Sequence, residues 1–143
     1  MIVYFDTSAV VPILIDEPTT QLCRQLWTEA DRRVTARLTF VETAAALAMA
    51  ERQHRITTPQ QDAAWSNFVA IWADADVIEL TTELTAVAAH LASSLALRAY
   101  DAVQCAAALS VDDQQTVAAT GDLQLLTAWR SLGLAVVDTR RLP

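Results

Sequence analysis

Ile2-Val3-Tyr4-Phe5-Asp6 is the most informative stretch of the chain, because four consecutive apolar residues lead directly into a carboxylate. A continuous apolar run of this length is typical of a strand that is buried on both faces of a sheet. Four further short runs, in which β-branched residues recur, follow at residues 34–36, 77–80, 116–119 and 134–137. Stretches with helical spacing separate these runs. The alternation predicts an α/β fold with a mainly parallel sheet.

The predicted helices carry recognisable start and stop signals. Thr58-Pro59 places a capping residue before a proline at the first helical position, and Gly133 suits the position just after a helix end. Apolar residues recur at helical spacing from Thr82 to Leu97. We expect helices at about residues 40–54, 59–72, 82–97, 101–110 and 123–132.

The size and composition of the chain predict a single domain that spans residues 1–143. A chain of this length can bury a core without disulfides, and Cys23 and Cys105 lie far apart, outside any metal-binding spacing. The first residues carry no basic segment, and the apolar stretch at residues 7–15 is too short to cross a bilayer. We therefore expect a cytoplasmic protein with two buried thiols and no membrane partner.

The charge of the chain limits how it could bind nucleic acid. All ten basic residues are arginines and the formal net charge is −7, whereas neutralising phosphates requires clustered cations. A nucleic-acid enzyme of this composition needs a metal ion, a local arginine patch or a second subunit to supply positive charge. Arg98 is the favoured phosphate-binding residue because it lies three residues before an acidic candidate. The other candidate arginines are Arg32, Arg33, Arg37, Arg52 and Arg55.

Four acidic residues fall where an α/β fold binds its ligands, near the carboxyl ends of strands or the starts of helices. They are Asp6, Glu42, Asp101 and Asp122. Each also has a purely structural explanation. Asp6 could begin a turn, and Glu42 could complete a capping box with Thr39. Asp101 could interact with a helix dipole, and Asp122 could cap the last helix.

A cluster of these four carboxylates would need a cation, because like charges repel and burial penalises each ionised group. Hard divalent ions take oxygen ligands, and Mg²⁺ usually combines a few carboxylates with water and substrate phosphate. A zinc site is disfavoured, since His54 and His90 are isolated. The chemistry indicated is metal-assisted hydrolysis of a phosphodiester bond.

Several other catalytic sites are excluded by missing residues. A P-loop needs a glycine-rich stretch and a lysine, a dinucleotide site needs G-x-G-x-x-G, and a serine hydrolase usually shows G-x-S-x-G. The chain has two distant glycines and no lysine. The missing lysine also argues against a receiver domain. Asp6-Thr7-Ser8 lacks the D-x-D pattern of haloacid-dehalogenase-like phosphatases.

Segments along essentially the whole chain, taken in order, resemble the PIN domain family, and in particular the VapC-type toxin ribonucleases of type II toxin–antitoxin systems. The sequence V-Y-F-D-T-S-A at 3–9 resembles the family's first strand and catalytic aspartate. Residues 16–18 and 39–44 resemble a loop and the segment that bears the family's glutamate. Y-D-A-V-Q-C-A-A-A-L at 100–109 resembles its D-A-x-x-x-A-x-A-L helix, and T-G-D at 120–122 its late T-x-D element.

The resemblance implies a three-layer α/β/α sandwich around a twisted five-stranded sheet. It implies a catalytic metal site for Mg²⁺ or Mn²⁺ made of the four acids, Asp6, Glu42, Asp101 and Asp122. Thr7, Ser8 and Thr120 would be nearby hydroxyls that orient ligands or water. It also implies endonucleolytic cleavage of RNA, a homodimer, and inhibition by a VapB-type antitoxin in a bacterial cytoplasm.

Two other functions remain open from the sequence. A nuclease of the same fold could act on DNA or on flap structures, although the chain is short and shows no helical clamp insertion. A non-catalytic scaffold could bind only RNA or protein, although such relatives usually lose one or more of the acids. Comparing the cleavage of matched RNA and DNA oligomers separates the first alternative, and a titration with divalent metal separates the second.

Overall fold

The computed structural model describes residues 1–141, which form five strands and seven helices. The strands are β1 (Ile2–Phe5), β2 (Arg32–Ala36), β3 (Asp76–Ile78), β4 (Thr116–Thr120) and β5 (Val136–Asp138). The helices are α1 (Thr7–Leu14), α2 (Thr20–Glu29), α3 (Leu38–Arg52), α4 (Thr58–Trp72), α5 (Thr82–Ser94), α6 (Ala99–Ser110) and α7 (Leu123–Ser131). Within these residues no helix has the length and apolar character needed to span a membrane.

All five strands run parallel, in the order β3-β2-β1-β4-β5, which confirms the predicted α/β sheet. The apolar strand β1 lies at the centre, where Ile2 is in register with Arg32 on one side and with Thr116 on the other. The next strands along the chain extend the sheet to one side of β1, and β4 and β5 extend it to the other. This reversal of direction at β1 creates the kind of crevice in which α/β sheets bind ligands.

Two apolar cores on opposite faces of the sheet confirm the three-layer sandwich. Successive side chains of a strand point to opposite faces, so Val3 and Phe5 pack against helices α1 to α4. Tyr4 belongs to the other core, which α5, α6 and α7 cover. Many of the contact residues on α6 are alanines with almost no exposed surface, which lets this helix lie close to the sheet.

Helices α3, α4 and α6 begin one or two residues earlier than predicted, and α1 and α2 were not among the predicted helices. The capping residue of α4 is Thr57, one residue earlier than predicted, and it forms a capping box with Gln60. Helix α3 begins at Leu38, after Arg37, so Thr39 lies inside the helix. The capping-box explanation for Glu42 is therefore wrong, and the Glu42 carboxylate is free for another role.

The tryptophans and cysteines belong mainly to the cores. Trp129 is fully buried and packs edge-on against Tyr4, with ring centroids 5.8 Å apart. The other three tryptophans are partly buried against phenylalanine rings of the opposite core. Cys23 and Cys105 are buried free thiols, as predicted.

Candidate active site

One pocket of about 360 Å³ contains all four acidic residues that the sequence singled out. It lies at the carboxyl ends of β1 and β4, since Asp6 follows β1 directly and Asp122 follows β4 by two residues. The residues that line it are Asp6, Thr7, Ser8, Val11, Glu17, Glu42, Ala46, Arg55, Asp101, Gln104 and Asp122. The topology thus brings together acids from four separate parts of the chain.

Asp6 is the most deeply buried of these carboxylates, with 5% of its surface exposed. Three groups donate hydrogen bonds to it: the Ser8 hydroxyl at 2.8 Å, the Thr120 hydroxyl at 2.8 Å and the Ala9 backbone N–H at 3.1 Å. The last of these makes Asp6 the N-cap of α1. Ser8 accepts a hydrogen bond from the Gly121 backbone N–H at 2.7 Å. Two of the predicted hydroxyl residues therefore fix the orientation of Asp6.

The environment of Asp6 is unfavourable for its charge. The pKa of Asp6 is raised to about 7, chiefly by burial and to a smaller extent by the negative charge of Asp122. The hydrogen bonds from Ser8, Thr120 and Ala9 act in the opposite direction and only partly offset the effect of burial. A carboxylate in this position is held in a fixed geometry, and among residues 1–141 it forms no ion pair with a cationic side chain. That combination is what a cation-binding site requires.

Glu42 is held by neighbours on two different elements. The hydroxyl of Thr7 donates to Glu42 Oε1 at 2.8 Å, and the side-chain amide of Gln104 donates to the same oxygen at 2.7 Å. Among residues 1–141, no hydrogen bond to the second carboxylate oxygen, Oε2, is formed. Thr7, the third predicted hydroxyl, therefore orients the second acid rather than the first.

Asp101 and Asp122 lie at helix N-termini, as does Asp6. Asp101 is the third residue of α6, and Asp122 caps α7 by accepting a hydrogen bond from the Leu125 N–H at 2.9 Å. The N-terminal end of a helix carries a partial positive charge that favours anions. Three such ends at one pocket lower the cost of concentrating carboxylates there, and they also favour a bound phosphate.

The donor set of the pocket fits a hard divalent ion that keeps much of its water. Among residues 1–141, no three carboxylates, histidines or cysteines lie close enough together to hold one ion by themselves. Mg²⁺ does not require such a cage, because it is usually bound by one or two carboxylates together with water and substrate phosphate. Asp6, buried and without a cationic partner in the described part of the chain, is the natural centre of such a site.

The arginines take different positions from those that sequence spacing suggested. Arg98 makes a long ion pair with Asp101, 3.4 Å between Nε and Oδ2, and its side chain is 79% exposed. It borders a separate shallow depression beside Asp122. Arg55, from the turn after α3, lines the acidic pocket itself and lies 3.4 Å from Glu17. Arg55 is therefore better placed than Arg98 to meet a phosphate in the pocket.

Sequence reasoning missed two polar lining residues, Gln104 and Glu17. Gln104 sits one turn after Asp101 in an alanine-rich helix, and its polarity at a position expected to be buried was the available sign. Glu17 belongs to the loop Asp16-Glu17-Pro18, which resembles a loop of the family but predicts no role for the carboxylate. Its position is fixed by a hydrogen bond from its backbone N–H to the Thr20 hydroxyl at 2.9 Å.

The family is decided by a match to the PIN domain family model over residues 3–127. The chain belongs to the PIN domain family. Two curated proteins of Mycobacterium tuberculosis are similar to this PIN domain over most of its length. Ribonuclease VapC45 of strain CDC 1551 / Oshkosh and Ribonuclease VapC49 of strain ATCC 25618 / H37Rv are each 37% identical to it over 139 residues. The matches cover 97% of this chain and 96% of each relative.

Solved structures share the fold of this PIN domain at lower sequence identity. FitAcB from Neisseria gonorrhoeae superposes with a TM-score of 0.71 at 15% identity, covering 98% of this chain and 99% of that chain. A toxin–antitoxin complex from Klebsiella pneumoniae gives a TM-score of 0.67 at 13% identity, covering 98% and 99%. PAE2754 from Pyrobaculum aerophilum gives 0.69 at 22% identity, covering 96% and 85%. These structures support the three-layer architecture.

Proposed function

We propose that this PIN domain is a VapC-like endoribonuclease toxin that hydrolyses RNA phosphodiester bonds with Mg²⁺ or Mn²⁺ in a bacterial cytoplasm. The observation that carries the proposal is the single pocket that contains Asp6, Glu42, Asp101 and Asp122, with Asp6 buried and lacking a cationic partner among the described residues. Two relatives at 37% identity are named ribonuclease VapC, which favours RNA over other substrates.

The four acids would bind the metal ion in two ways, two of them directly and two through water. Asp6 and Glu42 would be the principal ligands, because hydrogen bonds from Ser8, Thr120 and Thr7 fix their carboxylates in place. Asp101 and Asp122 would complete the site through bound water, beside helix N-termini that also favour a phosphate. When bound, the metal ion supplies activation of water and neutralisation of charge on the phosphate.

Cleavage of a labelled single-stranded RNA and of a DNA oligomer of matched sequence tests this function. We expect Mg²⁺ or Mn²⁺ to support internal cleavage of the RNA, EDTA to stop it, and the DNA to remain intact. Faster cleavage of the DNA would support the alternative of a DNA or flap nuclease. Failure to cut either substrate, together with no binding of metal in a calorimetric titration, would support a non-catalytic scaffold.

Arg55 is the arginine that we expect to contact the substrate phosphate. Arg55→Gln removes the cation that lines the pocket, and one charged hydrogen bond is worth about 1.5–3 kcal/mol. We expect RNA to bind about 10- to 100-fold more weakly and the salt dependence of binding to fall by about one phosphate contact. Fluorescence anisotropy in an inactive Asp6→Asn background measures both quantities without cleavage.

Two matched variants show whether this effect belongs to the pocket. Arg52→Gln removes the same charge at the end of α3, from an exposed side chain outside the pocket. Arg98→Gln tests the residue that sequence spacing favoured. The assignment to Arg55 is abandoned if Arg52→Gln weakens RNA binding equally, or if Arg98→Gln has the larger effect.

The proposed partners are a VapB-type antitoxin and a second copy of the chain. The solved structure described as a toxin–antitoxin complex from Klebsiella pneumoniae shares the fold, which supports the first. An apolar groove of about 470 Å³ beside the edge strand β3, lined by Ile78, Leu84, Val87 and Leu109 among others, supports the second. We expect a dimer at micromolar concentration by size-exclusion chromatography with light scattering. A monomer under these conditions would contradict the dimer.

A further inference from the structure

A network of hydrogen-bonded, buried polar side chains connects the apolar core to the acidic pocket, and Gln104 lies at its centre. Gln104 is 3% exposed and lies on the alanine-rich face of α6, beside the fully buried Cys105. A buried amide is costly unless its donors and acceptors are used. In this protein the Gln104 amide contacts Tyr4 on the core side and Glu42 on the pocket side.

The partners of Gln104 determine which way its amide points. An ionised carboxylate can only accept, so the amide nitrogen must face Glu42 Oε1, at 2.7 Å. The second N–H points at the Thr39 hydroxyl oxygen, at 2.9 Å. The amide oxygen then faces Tyr4, whose hydroxyl donates to it at 2.6 Å. The reverse orientation would place the amide oxygen against the Glu42 carboxylate, so that two acceptors would face each other and Glu42 would lose its N–H donor.

The same counting of protons determines the direction of the other hydrogen bonds in this network. The Thr35 hydroxyl donates to the Phe5 carbonyl oxygen at 2.7 Å, because a carbonyl oxygen has no proton to give. The Thr39 hydroxyl must then donate to Thr35, at 2.9 Å, and it accepts from Gln104. This network of hydrogen bonds therefore reaches the backbone of β1 at Phe5, one residue before Asp6. With Thr7 donating to Glu42 from the residue after Asp6, Glu42 is connected to both neighbours of Asp6.

We propose that Gln104 is a positioning residue that fixes the Glu42 carboxylate relative to Asp6 for binding a divalent cation, and that Tyr4 acts through Gln104 by fixing its amide orientation. This inference rests on the proposed function, in which Asp6 and Glu42 hold the metal. It assigns a functional role to Tyr4, although this residue is fully buried and does not line the pocket. The physical basis is that a side chain that hydrogen-bonds to a metal ligand fixes the orientation of that ligand. Removing such a partner typically lowers metal affinity by about 10- to 100-fold.

Calorimetric titration of the protein with Mn²⁺, without RNA, tests this inference. We expect Gln104→Leu to weaken Mn²⁺ binding by about 10- to 100-fold. We expect Tyr4→Phe to weaken it by about 3- to 10-fold, because the amide oxygen loses its donor and the amide can turn. Tyr4→Phe keeps the ring that packs on Trp129, so the core stays filled. It therefore remains informative if Gln104→Leu fails to fold.

Two further variants separate positioning from a general loss of stability. Cys105→Ala removes a buried side chain at the next position of the same helix, and we expect it to lower the melting temperature without changing Mn²⁺ affinity. Gln104→His restores one donor and one acceptor, since a neutral imidazole has both, and we expect it to recover most of the affinity. Loss of affinity in Cys105→Ala equal to that in Tyr4→Phe would overturn the inference.

The outcomes for the inference and for the proposed function differ. If wild type binds Mn²⁺ and cuts RNA while Tyr4→Phe and Gln104→Leu bind Mn²⁺ as tightly as wild type, the positioning role is wrong and the proposed function stands. If wild type neither binds Mn²⁺ nor cuts RNA, the proposed function is wrong and the positioning role is lost with it.

Discussion

Asp6→Asn is expected to reduce Mg²⁺-dependent cleavage of RNA on the order of 1,000-fold or more. Without the Asp6 carboxylate the metal ion is lost or misplaced, and the activation free energy rises by several kcal/mol. Asparagine keeps the shape of the side chain and an oxygen that can accept from Ser8 and from the Ala9 N–H. The fold should therefore survive while the buried negative charge disappears. Initial rates on a labelled RNA at saturating Mg²⁺, with circular dichroism of both proteins, measure the effect.

The matched control for this variant is Asp62→Asn, which removes the same charge from an exposed position on α4, outside the pocket. Its rate should equal that of wild type within a factor of about two. If Asp6→Asn keeps more than a tenth of the wild-type rate, Asp6 is not a central ligand and the assignment of the site fails.

The metal-free protein is expected to lose stability as the pH rises from about 4 to about 7. The pKa of Asp6 is raised from 3.8 to about 7 by burial, so in this range the folded protein holds a proton that the unfolded chain releases. The free energy of unfolding therefore falls with rising pH, by an amount on the order of 4 kcal/mol from this group, and levels off above pH 7. Mg²⁺ should restore stability at pH 8, because it compensates the ionised carboxylate.

Asp6→Asn isolates this contribution from those of the other titrating groups. In EDTA, we expect the variant to be more stable than wild type at pH 8 and to lose most of that advantage at pH 5, as measured by urea denaturation. Mg²⁺ should raise the stability of wild type at pH 8 and leave the variant unchanged. An equal difference between the two proteins at both pH values would show that Asp6 does not hold its proton in the folded state.

The sequence predicted the sheet well because each strand is marked by its own composition. The run Ile2–Phe5 is apolar throughout, as a central parallel strand must be, and the structure confirms it residue for residue. The edges of weaker strands moved by one or two positions: β2 begins at Arg32, and its first two residues show no apolar signal. Pairing with β1 extends β2 to Arg32, and no local pattern records such a pairing.

The acids of the pocket were predictable, and the family resemblance also indicated the hydroxyls of Thr7, Ser8 and Thr120 that hold them. The places of Gln104 and Arg55 in the pocket were not predictable. Asp6 and Asp122 follow strands whose ends meet at one edge, so knowing the strands was enough to predict their neighbourhood. Gln104 and Arg55 depend on which face of a helix and which side of a turn meet the pocket, and such packing is three-dimensional. Arg98 shows the same limit. Its closeness to Asp101 in the sequence predicted a place in the pocket, but the structure places its exposed side chain outside the pocket.

The central position of β1 has a consequence for how the protein is made. Asp6 receives a hydrogen bond from Thr120, which lies 114 positions later in the chain, on the strand that completes the pocket. A chain still emerging from the ribosome can fold its first helices, but it lacks β4 and the acid that follows it. Contacts between such distant segments also slow folding, because the loop between them must close first. We therefore expect the acidic pocket to stay incomplete until β4 and Asp122 have been synthesised and have paired with the first strand.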